Sequence, residues 1–148
     1  VAPEEKEPET LDEFKAAKKK EIGKACEQTI YAGVDVELSD GSTEHFSLLE
    51  RDQLNLFGKQ VQMASGATQL EYHTDGQACR YYSAKDMQLI ITAAMSFVSY
   101  HTTYCNALNM WIAGCKTIEE VQSIKYGVTV PDTYQSEVLK VYLAAKTK

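Results

Sequence analysis

Met87, Ile91, Ala94, Val98, His101, Cys105, Leu108, Ile112 and Cys115 follow one another at strict alternating spacings of four and three. A second apolar row, Ile90, Phe97, Tyr104 and Trp111, recurs every seven residues beside the first. Both rows fit one continuous helix from about Ser83 to Gly114, roughly 50 Å long at the helical rise. Ser83 with Asp86 has the spacing of its N-terminal cap. The pattern predicts that both rows are buried.

The rest of the chain is read from shorter signals. Thr10 and Glu13 form a capping box ahead of an interrupted stripe, Leu11, Phe14, Ile22, Cys26 and Ile30, with Gly33 as C-cap. A hairpin follows around Asp40-Gly41. A three-residue loop there would set Val34 opposite Leu48 and Val36 opposite Phe46, all on one face. Ser47 and Glu50 repeat the capping spacing and open a helix whose apolar positions are Leu54, Leu56, Phe57 and Val61, closing near Gly66. A second hairpin around Asp75-Gly76, with a two-residue loop, would pair Leu70 with Tyr81 and Tyr72 with Cys79. Glu71 would then face Arg80 on the other side.

Beyond the long helix, Thr117 and Glu120 start a short helix containing Val121 and Ile124 and ended by Gly127. Pro131 suits the first turn of a last helix, with Tyr134, Val138, Val141, Tyr142 and Ala145 on one face. The expected order is α-ββ-α-ββ-α-α-α. This is an α+β domain, mainly helical, with two small antiparallel hairpins packed on a long central helix. Residues 10–148 read as one domain, and the acidic, Pro-bearing residues 1–9 as a disordered lead-in or linker. Without an initiator Met, the chain reads as a fragment, a processed product or a segment of something longer. Hairpin, cap and helix occur twice, over 34–66 and 69–114, the order an internal duplication would leave.

Charge sharpens the picture of the long helix. From Met87 to Cys115 there is no Asp, Glu, Lys or Arg, although 24% of the chain is charged. A solvated helix carries charge on its outer face, so this one should be covered on most sides, by its own domain or by a partner. It is longer than the roughly 20 residues a bilayer needs. However, Gln88, Thr92, Ser96, Ser99, Asn106 and Asn109 would each need a partner in lipid, which argues against membrane insertion. A net charge of −6 disfavours nucleic acid. The lysines at 15, 18, 19, 20 and 24 are interleaved with Glu13, Glu21 and Glu27 and read as a solvated face.

Candidate chemistry is sparse. The cysteines, Cys26, Cys79, Cys105 and Cys115, show no C-x-x-C spacing. A Cys26–Cys79 pair stays open, with buried free thiols as the default. His101 and Cys105 lie one helical turn apart, which is two ligands where zinc needs three or four. No phosphate loop, zinc-protease or serine-hydrolase motif is present. The reading is therefore no catalytic residue, no metal and no cofactor. Trp111, Tyr104, Tyr100 and Tyr126 are the candidate interface anchors, aromatic bodies of the kind enriched where proteins meet.

Several strings resemble a phage and prophage domain of unknown function found in or beside tail fibre, tail-tip and baseplate proteins. They are L-D-E-F-K-A-A-K-K-K-E-I from Leu11 with I-Y-A-G ending at Gly33, and Asp52-Gln53-x-Asn55-Leu56. Further on they are Tyr82-Ser83-x-x-Asp86-Met87, Tyr100-His101-x-x-Tyr104 and Ile124-x-Tyr126-Gly127. The resemblance covers Leu11 to Leu143, and the D-Q-x-N-L element is its most recurrent piece. It implies a virion structural or assembly role, with other tail proteins or copies of itself as partners, in a particle assembled in the bacterial cytoplasm. It carries no catalytic residues. The alternative is a small metal- or thiol-dependent hydrolase using His101 and Cys105.

Overall fold

The computed structural model describes residues 6–146. Of the expected lead-in, residues 1–5 lie outside the described residues, and 6–9 carry no regular structure. The elements are α1 (Leu11–Ala32), β1 (Val34–Glu37), β2 (Thr43–Phe46), α2 (Glu50–Ala64), β3 (Gln69–Tyr72) and β4 (Arg80–Ser83). They continue with α3 (Ala84–Gly114), α4 (Ile118–Ser123), a 3-10 turn (Asp132–Tyr134) and α5 (Glu137–Lys146). The fold is α+β and mainly helical, with two antiparallel two-stranded sheets and one long helix. The described residues fall into two compact units, one of Gln28–His101 and one of those up to Glu27 with those from Thr102 on.

Side-chain caps set most helix starts. Thr10 Oγ1 accepts from Glu13 N at 3.2 Å, Ser83 Oγ from Asp86 N at 3.1 Å, and Thr117 Oγ1 from Glu120 N at 3.2 Å. Ser47 departs from this pattern. Its amide and hydroxyl both donate to Asp75, at 3.0 and 2.6 Å, and α2 starts instead with Asp52 accepting from the Leu49 amide. The last helix also starts late. Pro131 opens only the 3-10 turn, and Ser136 caps α5 by accepting from the Leu139 amide. Leu139 is the buried residue of α5, whereas Val138 and Val141 are exposed.

In the unit of Gln28–His101, each hairpin takes a register other than the expected one. Val34 pairs with Phe46 and Val36 with Glu44, and Leu38 N donates to Ser42 O across the loop Ser39–Gly41. This shift is even, so Val36, Leu38, Phe46 and Leu48 still share the buried face. In the second hairpin Leu70 pairs with Tyr82 and Tyr72 with Arg80, around a loop over 73–79. That shift is odd and exchanges faces, so Tyr82 is buried and Tyr81 is 67% exposed. The reason is an aromatic cluster. Phe46 stacks on Tyr72 at 5.9 Å and meets the edge of Tyr82 at 6.2 Å, and the other register would have turned Tyr82 outward and lost the second contact. Consequently Arg80 does not face Glu71. Its Nη2 lies 2.9 Å from both Glu44 oxygens and its guanidinium 3.8 Å over the Tyr82 ring, while Glu71 pairs with Lys59.

Candidate functional site

Helix α3 is unbroken over 31 residues. Met87, Ile90, Ile91, Ala94, Leu108 and Ile112 are buried along one side. Tyr104 and Cys115 are buried as well, and the remaining expected positions are covered less. Phe97, Val98 and Trp111 are half-buried, so the second row is not sealed. Opposite the buried side, Gln88, Thr92, Ser96, Ser99, Thr102 and Asn106 are exposed, with Met95 at 48% and Met110 at 58%. The missing charges therefore mark a bare face rather than a second buried one. Small polar side chains and two methionines form it.

The four aromatic candidates divide. Tyr104 is buried, and its hydroxyl donates to Val128 O while accepting from Gly127 N at 3.0 Å. It ties the segment after α4 to α3 and is committed inside the fold. Tyr126 meets the edge of Tyr104 at 5.1 Å and is half-buried; burial, with a hydrogen bond to Cys26, pushes its phenol well above the usual range. Tyr100 is half-buried with its ring 5.0 Å from His101, which in turn lies edge-on to Phe97 at 4.5 Å. Trp111 keeps part of its surface, and its carbonyl accepts from Cys115 Sγ.

All four cysteines are free thiols. The thiol neighbour of Cys26 is Cys105 rather than Cys79, which is exposed in the second hairpin loop. Burial pushes the Cys105 thiol up to about 11, with Cys26 adding to the shift. Such a thiol stays protonated near neutral pH and is a poor nucleophile. Under a maleimide at neutral pH, Cys79 should be labelled first, with Cys26 and Cys115 protected until the chain unfolds. Peptide mass spectrometry would check that order, and early labelling of Cys26 would contradict it.

A polar cluster lies at the first hairpin, and its residues are brought together only by the fold. His45 Nδ1 is 2.7 Å from Asp35 Oδ1, and Nε2 is 2.6 Å from Ala32 O and 3.6 Å from Asp75 Oδ2. Both ring nitrogens face acceptors, which only the doubly protonated imidazolium satisfies. The Asp35 carboxylate and then the Ala32 carbonyl raise the His45 pKa above its ordinary value. Ser47 donates to Asp75 rather than to the imidazole, so Ser, His and Asp are not arranged as a nucleophile and its base. A folded-state pKa above the unfolded value of about 6.5 stabilises the fold fully below that value. The contribution is lost as pH rises through the folded pKa. Melting temperature should therefore fall across that window, and His45→Gln should flatten the fall. An equal fall in the variant would assign it to other groups.

Helix α2 is present as expected, but of its apolar positions Leu54, Leu56, Phe57 and Val61 only Leu56 is buried. Leu54 is 75% exposed, Phe57 59% and Val61 52%. An open cleft of about 390 Å³ lies between α2 and α3, lined by Leu54, Phe57, Met95 and Val98 among others. A more polar cleft of about 440 Å³ on the side of the second hairpin includes Asn55, Gly58, Gln62 and Tyr72. The signal was present in the spacing of 54, 57 and 61, but spacing does not say which way a stripe faces.

Among the described residues no helix is long and apolar enough to cross a membrane, and no group of three or more His, Cys, Asp or Glu is placed to hold a metal ion. No family model, curated protein or solved structure matches the chain.

Proposed function

We propose that this chain is a non-enzymatic structural and interaction module of a bacteriophage tail, tail fibre or baseplate. The supporting observation is the outer face of α3, exposed along its length and without charge from Met87 to Cys115. A face that long and uncharged suits contact with another protein, whose burial it does not oppose by desolvating ions. The strings from Leu11 to Gly127 support the choice of particle, and the uncharged face supports a contact role within it. Tyr100, Tyr126 and Trp111 are the aromatic anchors left with surface to offer. The hydrolase alternative is weakened by the protonated Cys105 thiol and by the aromatic packing of His101.

Mass spectrometry of purified particles tests this reading. The expected result is the chain present at a fixed ratio to other tail proteins, with Thr92→Lys and Ser99→Lys lowering its incorporation while leaving the fold intact. A chain absent from particles, with a hydrolytic activity that His101→Ala removes, would overturn it.

A further inference from the structure

We infer that Cys26 and Cys105 are a thiol modification site, which a low-molecular-weight disulfide such as oxidised glutathione converts to a disulfide tying α1 to α3. The chemistry belongs to the chain alone and does not rest on the tail role.

Cys26 on α1 and Cys105 on α3 lie in the same compact unit, that of residues up to Glu27 with those from Thr102 on. Their thiols hydrogen bond to each other. Each sulfur also meets a polar side chain: the Tyr126 hydroxyl bonds Cys26, and Asn109 Nδ2 lies 3.9 Å from Cys105 Sγ. Asn109 Oδ1 is buried without a hydrogen-bond partner. Buried free thiols ordinarily pack as small apolar groups. Here two of them are held together beside a phenol and an incompletely satisfied amide, a polar nest that packing alone does not ask for. Cys115 stands apart from this nest. Its Sγ bonds the Trp111 carbonyl at 3.3 Å, and it lies roughly 15 Å along the chain from Cys105 at the helical rise.

Two electrons and two protons leave the pair, and the small disulfide takes them up to become two thiols. Cys105 is half-buried and Cys26 only 7% exposed, so the small disulfide meets Cys105 first. The Cys105 thiolate attacks one of its sulfurs, forming a mixed disulfide and expelling one glutathione thiolate, which takes the proton that Cys105 gave up. Cys26 then loses its proton and attacks the Cys105 sulfur, expelling the second glutathione. Leaving-group strength sets the direction of this second step. Burial holds the Cys105 thiol at about 11, against about 8.5 for an ordinary cysteine thiol, and the thiol of lower pKa leaves. The same raised thiol makes the first step slow near neutral pH, so the site answers sustained oxidation rather than a brief exposure. The product carries no charge, which suits a pair enclosed beside Tyr126 and Asn109.

The test exposes the folded full chain, carrying Cys79→Ser to remove the exposed thiol, to graded ratios of oxidised to reduced glutathione at mildly alkaline pH. The expected product is a chain lighter by two hydrogens, in which the peptide holding Cys26 is joined to the peptide holding Cys105. Excess reduced glutathione should reverse it. The oxidised chain should melt at a higher temperature, because a cross-link between residues so far apart in sequence restricts the unfolded chain. Cys26→Ala should stop at a mixed disulfide on Cys105, and Cys115→Ala should leave the cross-link intact. Peptide mapping of the Cys79→Ser chain touches no residue of the nest, so its result stands even where a buried substitution unfolds the protein. Both thiols still reduced at the most oxidising ratio, or a cross-link that forms only once urea has unfolded the chain, would overturn the proposal. So would mixed disulfides that accumulate on Cys105 without closing onto Cys26, or a link from either residue to Cys115.

Discussion

Replacing Gly33 by alanine should destabilise the unit of Gln28–His101 by about 3 kcal/mol or more, measured as a shift in urea midpoint at unchanged slope. Two costs combine. Gly33 has φ +91°, which a side chain adopts only with strain of about 1–2 kcal/mol. A Cβ there would also lie 2.1 Å from the Phe46 carbonyl oxygen and 2.7 Å from Ser47 Cα, and both are backbone that cannot swing aside. The clash falls where β2 leaves the first hairpin, so Phe46 would lose its place between Tyr72 and Tyr82. Gly41→Ala is the control. Its φ is +87°, but open space surrounds the added carbon, and only the conformational cost should appear. Equal losses at the two positions would show that the close approach contributes nothing.

Tyr104→Ala should lower stability by about 3–5 kcal/mol, as truncation of a buried aromatic does. Tyr104→Phe keeps the ring against Tyr126 and removes only the hydroxyl, which serves Gly127 N and Val128 O. About 1–3 kcal/mol is expected for that change. The pair separates an internal tie from an interface anchor. If Tyr104→Ala unfolds as the native chain does but fails to bind a partner, the side chain acts outside the fold and the assignment made from its burial is wrong.

These two residues also show what the sequence could convey. Gly33 was legible as a helix C-cap from its position after the α1 stripe, but the nearness of Phe46 is a tertiary fact. Tyr104 was legible as part of a heptad row, and its burial followed. Its neighbours in that row, Phe97 and Trp111, are only half-buried, because coverage depends on which elements pack against α3. Caps at Thr10, Ser83 and Thr117 were read correctly since each uses neighbours three residues apart. Ser47 has the same spacing and was misread, because a stronger acceptor, Asp75, reaches it from a distant loop. Parity explains the hairpins. A slip by two residues left every side chain on its expected face and went unnoticed, whereas a slip by one turned Tyr82 inward. The exposed ridge of α2 was hidden for the simplest reason: an apolar stripe on a helix looks the same whether it faces a core or a partner.

The loop over 73–79 has a consequence for how this chain avoids uncontrolled growth. An isolated two-stranded ribbon offers bare amide and carbonyl groups along both outer strands, a template on which further strands can add. Here the Asp75 amide and the Thr74 hydroxyl occupy the outward carbonyl of His45, and the Asp75 carboxylate takes the Ser47 amide. A turn too short and too bent to be a strand thus fills two of the positions a third strand would use, the His45 carbonyl and the Ser47 amide. The end of the β2 edge at His45 is occupied without lengthening the sheet.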